Sequence, residues 1–296
     1  MHLHLLFPLF SSVTFVFGMM YASQAIRRGA STWTGTFYGN LWLGIIWLII
    51  GISRWDVIAF AEWWKAVSVG LLFFSGQCFT YMAFRYGDVS VATPIFGVKI
   101  LFVAGLTSLS TGHSLSTAIW IAAIVATIGI ILIQYGGSAN QQTAKKSVLL
   151  TVVMALMAAG CMSLFDVCLQ RWGVPAGALR FLPVLFVSAA IFSCVLLPWV
   201  DRVSRLKSIR ALRPIIIATV LMPLQSMGMT IALSQFGDAT RVNIVYALRG
   251  LWAVVFAWLL AHSFEGDERH AGRSIMLRRA TGAILLTGSV ITALVV

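Results

Sequence analysis

Two stretches, GDVSVATPIFGVKILFVAG at residues 87–105 and GDATRVNIVYALRGLWAVV at residues 237–255, decide how the chain is built. Each opens with Gly-Asp, continues as a largely apolar run, and carries a cation, Lys99 or Arg249, eleven residues after its aspartate. At about 1.5 Å of rise per helical residue, eleven residues reach roughly 16 Å, the middle of a hydrocarbon core about 30 Å thick. Cations at that depth usually face a cavity, a partner or a substrate pathway. The two cations, 150 residues apart, therefore carry most of the functional information in the sequence.

The composition places the chain in a membrane. Of its 296 residues 59% are hydrophobic and only 10% charged, with a mean hydropathy of +0.92. Soluble domains carry roughly 25% charged residues. The net charge of +12 is concentrated in the connections between apolar runs, where lipid headgroups and membrane topology explain it. We therefore expect a lipid bilayer as the partner and no nucleic acid.

The sequence offers no motif for a metal, a cofactor or catalysis. Cys78, Cys161, Cys168 and Cys194 all fall inside apolar runs without a paired spacing, and no histidine has a metal-ligand spacing. A Gly-x-x-x-x-Gly-Lys-Ser/Thr loop for ATP is missing too. We expect no cofactor and no enzyme activity.

The hydropathy pattern predicts an all-α integral membrane fold with ten transmembrane helices. The predicted spans are residues 3–26, 31–53, 60–84, 88–110, 114–135, 147–170, 176–199, 211–235, 239–262 and 277–295. Gly87-Asp88 and Gly237-Asp238 are predicted to end one helix with a glycine cap and begin the next with an aspartate N-cap.

The sequence also indicates an internal duplication. The polar segment 136–146 is the predicted linker between a first five-helix repeat, residues 1–135, and a second, residues 147–296. A shift of 150 residues places Thr80 on Thr230 and Lys99 on Arg249. Five spans per repeat invert the second half in the bilayer, and transporters commonly bind substrate at the midplane between such repeats.

The segments WTGTFYGNLWLGIIWLII (33–50), YMAFRYGDVSVATPIFGVKILFVAGLTSL (81–109) and GAILLTGSVITALVV (282–296) resemble the drug/metabolite transporter superfamily. The resemblance covers the whole chain and is to the ten-helix EamA-like branch, in a bacterial subgroup. It implies a secondary transporter of the cell inner membrane with both termini in the cytoplasm. Lys99 stands where many members carry proline, and Gly112-His113 where they carry Gly-Glu. These departures favour an anionic cargo.

The predicted substrate site lies between helices four and nine. Steps of three residues keep Thr93, Phe96 and Lys99 on one helix face, and Asn243, Tyr246 and Arg249 on another. Arginine binds a carboxylate or phosphate through two parallel hydrogen bonds, and lysine adds a mobile point charge. The further candidate ligands are Trp252, which would stack on the guanidinium or close the pocket, and the pair Gln77 and Gln225.

Asp166 is the one carboxylate clearly inside a predicted span, about five residues or roughly 8 Å from its end, and so shallower than the cations. It is predicted to pair with a cation or to carry a coupling proton. One acid cannot neutralise two cations, which leaves a positive charge for a ligand or a Lys99 that is deprotonated when the site is empty. The competing interpretation is permanent internal neutralisation with no ligand.

Three other functions stay open on the sequence. Proton-coupled efflux of lipophilic cations would use Asp166, although two midplane cations oppose it. A membrane enzyme or a non-transporting membrane binding protein lacks supporting motifs or domains. A homodimer is left open.

Orientation is also open. The odd-numbered connections carry fourteen Lys or Arg and the even-numbered connections four, which puts both termini outside the cytoplasm, against the family expectation.

Overall fold

The protein is described by a computed structural model that covers residues 3–54, 56–86, 95–111, 115–134, 148–259 and 273–295. Within these ranges every regular element is a helix. The described residues do not include the predicted linker 136–146. They also do not include Thr93, Gly87-Asp88 and Gly112-His113.

The main helices, numbered here in chain order, have the following bounds. They are α1 Leu6–Arg27, α2 Thr32–Arg54, α3 Trp63–Tyr86, α4 Lys99–Thr111, α5 Thr117–Gln134, α6 Val148–Cys168, α7 Ala178–Ser193, α8 Leu212–Phe236, α9 in two segments Ala239–Tyr246 and Arg249–Leu259, and α10 Arg273–Val295. A short helix, Val203–Ser208, lies between α7 and α8.

The predicted all-α membrane fold is confirmed. In the described ranges six helical runs are long and apolar enough to cross a membrane, and two shorter apolar helices span Ile95–Ser110 and Thr117–Ile133. The division into ten spans and the inverted repeat stay predictions.

The main contacts between helices keep the same pattern when each helix number is advanced by five. The most extensive contacts join α1 to α8, α3 to α6, α2 to α7, and α5 to α10. Advancing both helix numbers by five turns the α1–α8 contact into the α6–α3 contact, and the reverse. The α2–α7 and α5–α10 contacts stay as they are. The lesser contacts of α4 with α6 and of α9 with α1 are exchanged in the same way. This pattern is what a duplicated chain would give.

Small residues permit the closest of these contacts. An added Cβ at Gly282 on α10 would lie 2.6 Å from the carbonyl oxygen of Gly129 on α5, and one at Gly129 would lie 2.9 Å from the Gly282 oxygen. Close approach of this kind drives helix association where lipid removes the hydrophobic gain.

Both helices that carry the predicted site cations are interrupted just before the cation. A helical turn at 95–97 and the turn residue Val98 precede Lys99, and the two segments of α9 meet at Ala247 and Leu248, immediately before Arg249. The amides at the two breaks make tighter i to i−3 bonds, from Val98 to Ile95 (3.0 Å) and from Leu248 to Val245 (3.1 Å). Each cation therefore begins a new helical segment inside the bundle.

Candidate functional site

Lys99 and Asp166 form a buried ion pair. The Lys99 Nζ lies 2.8 Å from Asp166 Oδ2, and the two side chains are 15% and 2% exposed. Lys99 begins α4, and Asp166 lies on α6, against which α4 packs. The hydroxyl of Ser163, one turn before Asp166, donates to the Lys99 carbonyl at 3.2 Å and ties the α4 break to α6. The pair joins the first half of the chain to the second.

Asn243 is the second partner of the same carboxylate oxygen. Its Nδ2 donates to Asp166 Oδ2 at 2.8 Å and to the carbonyl of Ala239 at 2.9 Å. Both amide protons are therefore engaged, and the side chain is buried. Asp166 thus holds a cation from α4 and an amide from α9 at once.

Asp166 lies deeper than the sequence suggested. The prediction ended the sixth span at residue 170, but the helical run continues through a π turn, Leu169–Gly173, to Ala176. It ends at Gly177, which has a φ of 86°. Asp166 is therefore ten residues from the end, about 15 Å, so the expectation that it is shallower than the cations was wrong.

The start of α9 is also held by α6, and here the predicted N-cap was wrong. Gln170 Oε1, in the π turn, accepts a hydrogen bond from the Ala239 amide at 3.1 Å. Asp238 occupies the N-cap position without a side-chain cap bond, because its carboxylate instead meets Arg241 at 3.0 Å. The glycine cap is present: Gly237 has a φ of 66° and ends α8.

Arg249 contacts aromatic rings rather than a carboxylate. Its Cζ lies 4.5 Å from the ring centre of Tyr246 and 5.1 Å from that of Phe15, and these two rings meet edge to face. Among the described residues it makes no ion pair. Cation–π contacts contribute about 0.5–2 kcal/mol and leave the charge in place. The half-buried guanidinium thus keeps hydrogen-bonding capacity for an anion.

Tyr246 is positioned by the predicted ligand Gln225. The Tyr246 hydroxyl donates to Gln225 Oε1 at 2.8 Å, and Gln225 Nε2 donates to Ser226 Oγ at 2.8 Å. This links α8 to the ring that Arg249 covers. The candidate site, defined as Lys99, Asp166, Gln225, Asn243, Tyr246 and Arg249 with Phe15, therefore draws on α1, α4, α6, α8 and α9.

Residues 2–135 match the EamA-like transporter family. The predicted resemblance to EamA-like transporters is confirmed for this part of the chain, which contains α1 to α5. The family and the apolar helices establish a multi-pass membrane protein with the character of a transporter. Among curated proteins no sequence match was found.

A likeness to solved structures extends beyond the EamA-like part. A crystal structure of a protein aligns over 96% of this chain and 96% of its own, with a TM-score of 0.61 and 15% sequence identity. At that identity the likeness shows a shared fold. Because it spans both halves, the fold beyond residue 135 has a solved counterpart.

Three predicted site residues make other contacts than those predicted. Trp252 stacks on Phe256 with ring centres 6.0 Å apart, rather than on Arg249. Gln77 exchanges hydrogen bonds with Asn40, at 2.7 and 3.2 Å, as a link between α3 and α2. Phe96 packs in a small apolar cluster with residues of α3 and α6. The contacts of Gln77 and Phe96 join different helices, whereas that of Trp252 with Phe256 lies within α9.

Phe15 is the site residue that the sequence did not reveal. It lies on α1, far from both quoted stretches, among other aromatic residues of an apolar span. No spacing pattern relates it to Arg249.

A cavity of about 490 Å³ opens at one end of the bundle, away from the candidate site. It is lined by Arg54, Asp56, Arg180 and Phe236, among others, and by none of the predicted site residues. Its main ion pair, Arg180 with Asp56 at 2.8 Å, is about half exposed. The buried charges of the candidate site therefore lie outside this cavity. Within the described residues no three side chains form a metal-binding group.

Proposed function

We propose that the chain is a secondary transporter that moves a small anionic or zwitterionic metabolite across the inner membrane by alternating access. The binding site is at the midplane between α4 and α9. One observation carries the proposal: Asp166 is already engaged by Lys99 and Asn243, while the guanidinium of Arg249 lies on two aromatic faces.

The charge of the site supports an anionic group on the substrate. Lys99 and Asp166 neutralise each other, and Arg249 leaves one positive charge in an apolar surrounding. A carboxylate or phosphate would restore neutrality and fill the two-pronged donor of arginine. The hydroxyl of Tyr246 and the amide of Gln225 add polar contacts for the rest of the molecule.

The architecture supports alternating access. The ion pair joins α4 of the first half to α6 of the second, and both cation-bearing helices are interrupted at the cation. Transporters with inverted repeats commonly place substrate at such interrupted helices near the midplane. The main helix contacts, which keep their pattern when helix numbers advance by five, support the two-repeat division.

The same charge favours exchange over uniport. Closing an empty site would leave Arg249 desolvated and unpaired, at a cost of several kcal/mol per ion. A penalty of about 4 kcal/mol slows a step roughly a thousandfold. The loaded carrier is neutral and closes readily, so transport into vesicles should require a counter-substrate inside.

Efflux of lipophilic cations is less well supported. A cation that binds Asp166 has to displace Lys99 from a contact of 2.8 Å and reach a carboxylate that is 2% exposed.

Uptake into proteoliposomes tests the proposal. We expect radiolabelled pyruvate, succinate, glutamate or glycerol phosphate to enter vesicles that are preloaded with the unlabelled compound. Arg249→Gln should abolish the flux, whereas the matched control Arg241→Gln, on the same helix, should keep it. Near-normal flux in Arg249→Gln contradicts the site. Equal flux into loaded and empty vesicles contradicts exchange and leaves the transporter assignment intact.

A further inference from the structure

Two connections meet at one end of the bundle, remote from the candidate site. They are residues 28–31, between α1 and α2, and residues 200–211, between α7 and α8. Asp201 joins them: its Oδ2 accepts hydrogen bonds from the Ser31 amide at 2.5 Å and from Thr34 Oγ1 at 3.2 Å. In return the Asp201 amide donates to Thr34 Oγ1 at 2.9 Å.

Two arginines also link these two connections. Arg205 donates to Asp201 Oδ1 at 2.6 Å and to the Gly29 carbonyl at 3.4 Å, and Arg28 donates to the Arg210 carbonyl at 2.5 Å. A separate apolar cluster lies beneath them, formed by Ala25, Ala30, Leu206, Ala211 and Ile215. The two connections are therefore fixed relative to each other, and their outer side chains present one constant surface.

That surface is strongly basic. Residues 27–34 and 200–213 contain seven Arg or Lys and a single acid, Asp201, which is buried and paired with Arg205. The basic surface is defined here as the exposed side chains of Arg28, Arg202, Arg205, Lys207, Arg210 and Arg213. Within these two segments only Asp201 offsets this charge, through its pair with Arg205.

The basic surface borders the lipid-facing wall of the bundle. Trp199 is 54% exposed, Val203 48% and Ile216 51%, directly beside the arginines in sequence. The short helix Val203–Ser208 buries Leu206 and exposes Val203 and Lys207 on the outside. Here apolar side chains lie directly next to basic ones. The same change from apolar to charged groups occurs where the acyl chains of phospholipids meet their headgroups.

We propose that the basic surface binds the phosphate groups of anionic phospholipids. Guanidinium groups pair with phosphate through two donors, and the neighbouring apolar wall accepts the acyl chains. A water-soluble phosphate would use the first contact but not the second. Anionic lipids give the cytoplasmic leaflet its negative surface potential, so binding places this surface at the cytoplasmic face.

The proposal fixes the orientation of the chain. The basic surface lies at the start of α8, whereas His4 stacks on Phe236 at the end of the same helix, with ring centres 4.9 Å apart. The 25 residues of α8 span about 37 Å, enough to cross the bilayer. The N-terminal residues therefore lie on the side away from the cytoplasm, opposite to what the family resemblance implies.

Lipid binding is tested on the detergent-purified full chain by thermal unfolding during titration with phosphatidylglycerol or phosphatidylcholine. The test variant is Arg202→Gln, Lys207→Gln and Arg213→Gln together, exposed residues whose side chains form no hydrogen bond or ion pair in the described structure. The control removes the same charge at the other end, with Arg54→Gln, Lys65→Gln and Arg171→Gln.

We expect phosphatidylglycerol to stabilise the native chain and the control, and its apparent dissociation constant to rise tenfold or more in the test variant. Each basic residue near an anionic surface is worth about a fivefold change in affinity. Equal lipid affinity in all three proteins overturns the proposal, and so does equal stabilisation by free glycerol phosphate. If the triple variant does not fold, Lys207→Glu alone gives the same comparison.

Cysteine labelling in intact cells tests the placement. Ser208→Cys should react with a membrane-impermeant maleimide only after lysis, and Ser53→Cys, at the opposite end of α2, should react in intact cells. Labelling of Ser208→Cys in intact cells puts the basic surface outside and overturns its binding to the cytoplasmic leaflet.

Discussion

The buried ion pair gives the sharpest energetic prediction, for Asp166→Asn. Asparagine keeps the shape and one acceptor oxygen for Asn243 but removes the charge opposite Lys99. Breaking a buried pair by neutralising one partner leaves the other charge uncompensated, at a cost of about 3–5 kcal/mol. The 2% exposure of the Asp166 side chain means that water does not relieve this penalty in the folded state.

Removing both charges should cost much less. In Lys99→Met combined with Asp166→Leu, no charge is buried, and such replacements are often neutral. The free energy of unfolding, measured by SDS titration in mixed micelles, should fall by about 3–5 kcal/mol in each single variant and by under about 1 kcal/mol in the double variant. The resulting coupling energy exceeds that of an exposed pair, which is about 0.2–1 kcal/mol.

Additive losses in the two single variants would refute the reasoning, because they would mean that Lys99 and Asp166 do not interact in the folded protein. A loss below about 1 kcal/mol in Asp166→Asn would refute it as well, since it would place the carboxylate in water.

Three further predictions follow from named contacts. Arg249→Lys keeps the charge but loses the planar donor pair, so anion affinity measured by calorimetry should fall roughly 10- to 100-fold, the value of one charged hydrogen bond of about 1.5–3 kcal/mol; unchanged affinity would exclude two-pronged binding. Gly282→Val places a branched side chain against the Gly129 carbonyl and should lower the free energy of unfolding by about 1–3 kcal/mol, with a stable variant contradicting the close α5–α10 contact. Gln77→Leu should destabilise the protein by a similar amount through its lost bonds to Asn40, while the KM for transport stays the same; a raised KM would return Gln77 to the substrate site.

The sequence predicted the parts of this structure that depend on local pattern. Apolar runs of helical length predicted the helical membrane fold, and the scarcity of carboxylates in spans singled out Asp166 as an internal partner, which the structure pairs with Lys99. The glycine cap at Gly237 followed from its permissive backbone.

The failures come from competing contacts, two of them with residues distant in sequence and one, at Asp238, with a residue three positions away. The sixth helix runs past residue 170 because Gln170 and Arg171 find partners at Ala239 and Ser110, which the local polarity does not show. Asp238 does not cap α9 because Arg241 claims its carboxylate. Phe15 was missed because the ring over which Arg249 lies comes from another helix.

Anion binding by the purified protein tests the central claim most directly. In a thermal-shift screen of carboxylates, amino acids, phosphorylated metabolites and lipophilic cations, at least one anion should raise the unfolding temperature of the native chain and of Arg241→Gln. The same anion should give no shift with Arg249→Gln. Stabilisation that persists in Arg249→Gln, or stabilisation by cations alone, would contradict an anion site at Arg249 and make the buried charges a purely structural feature.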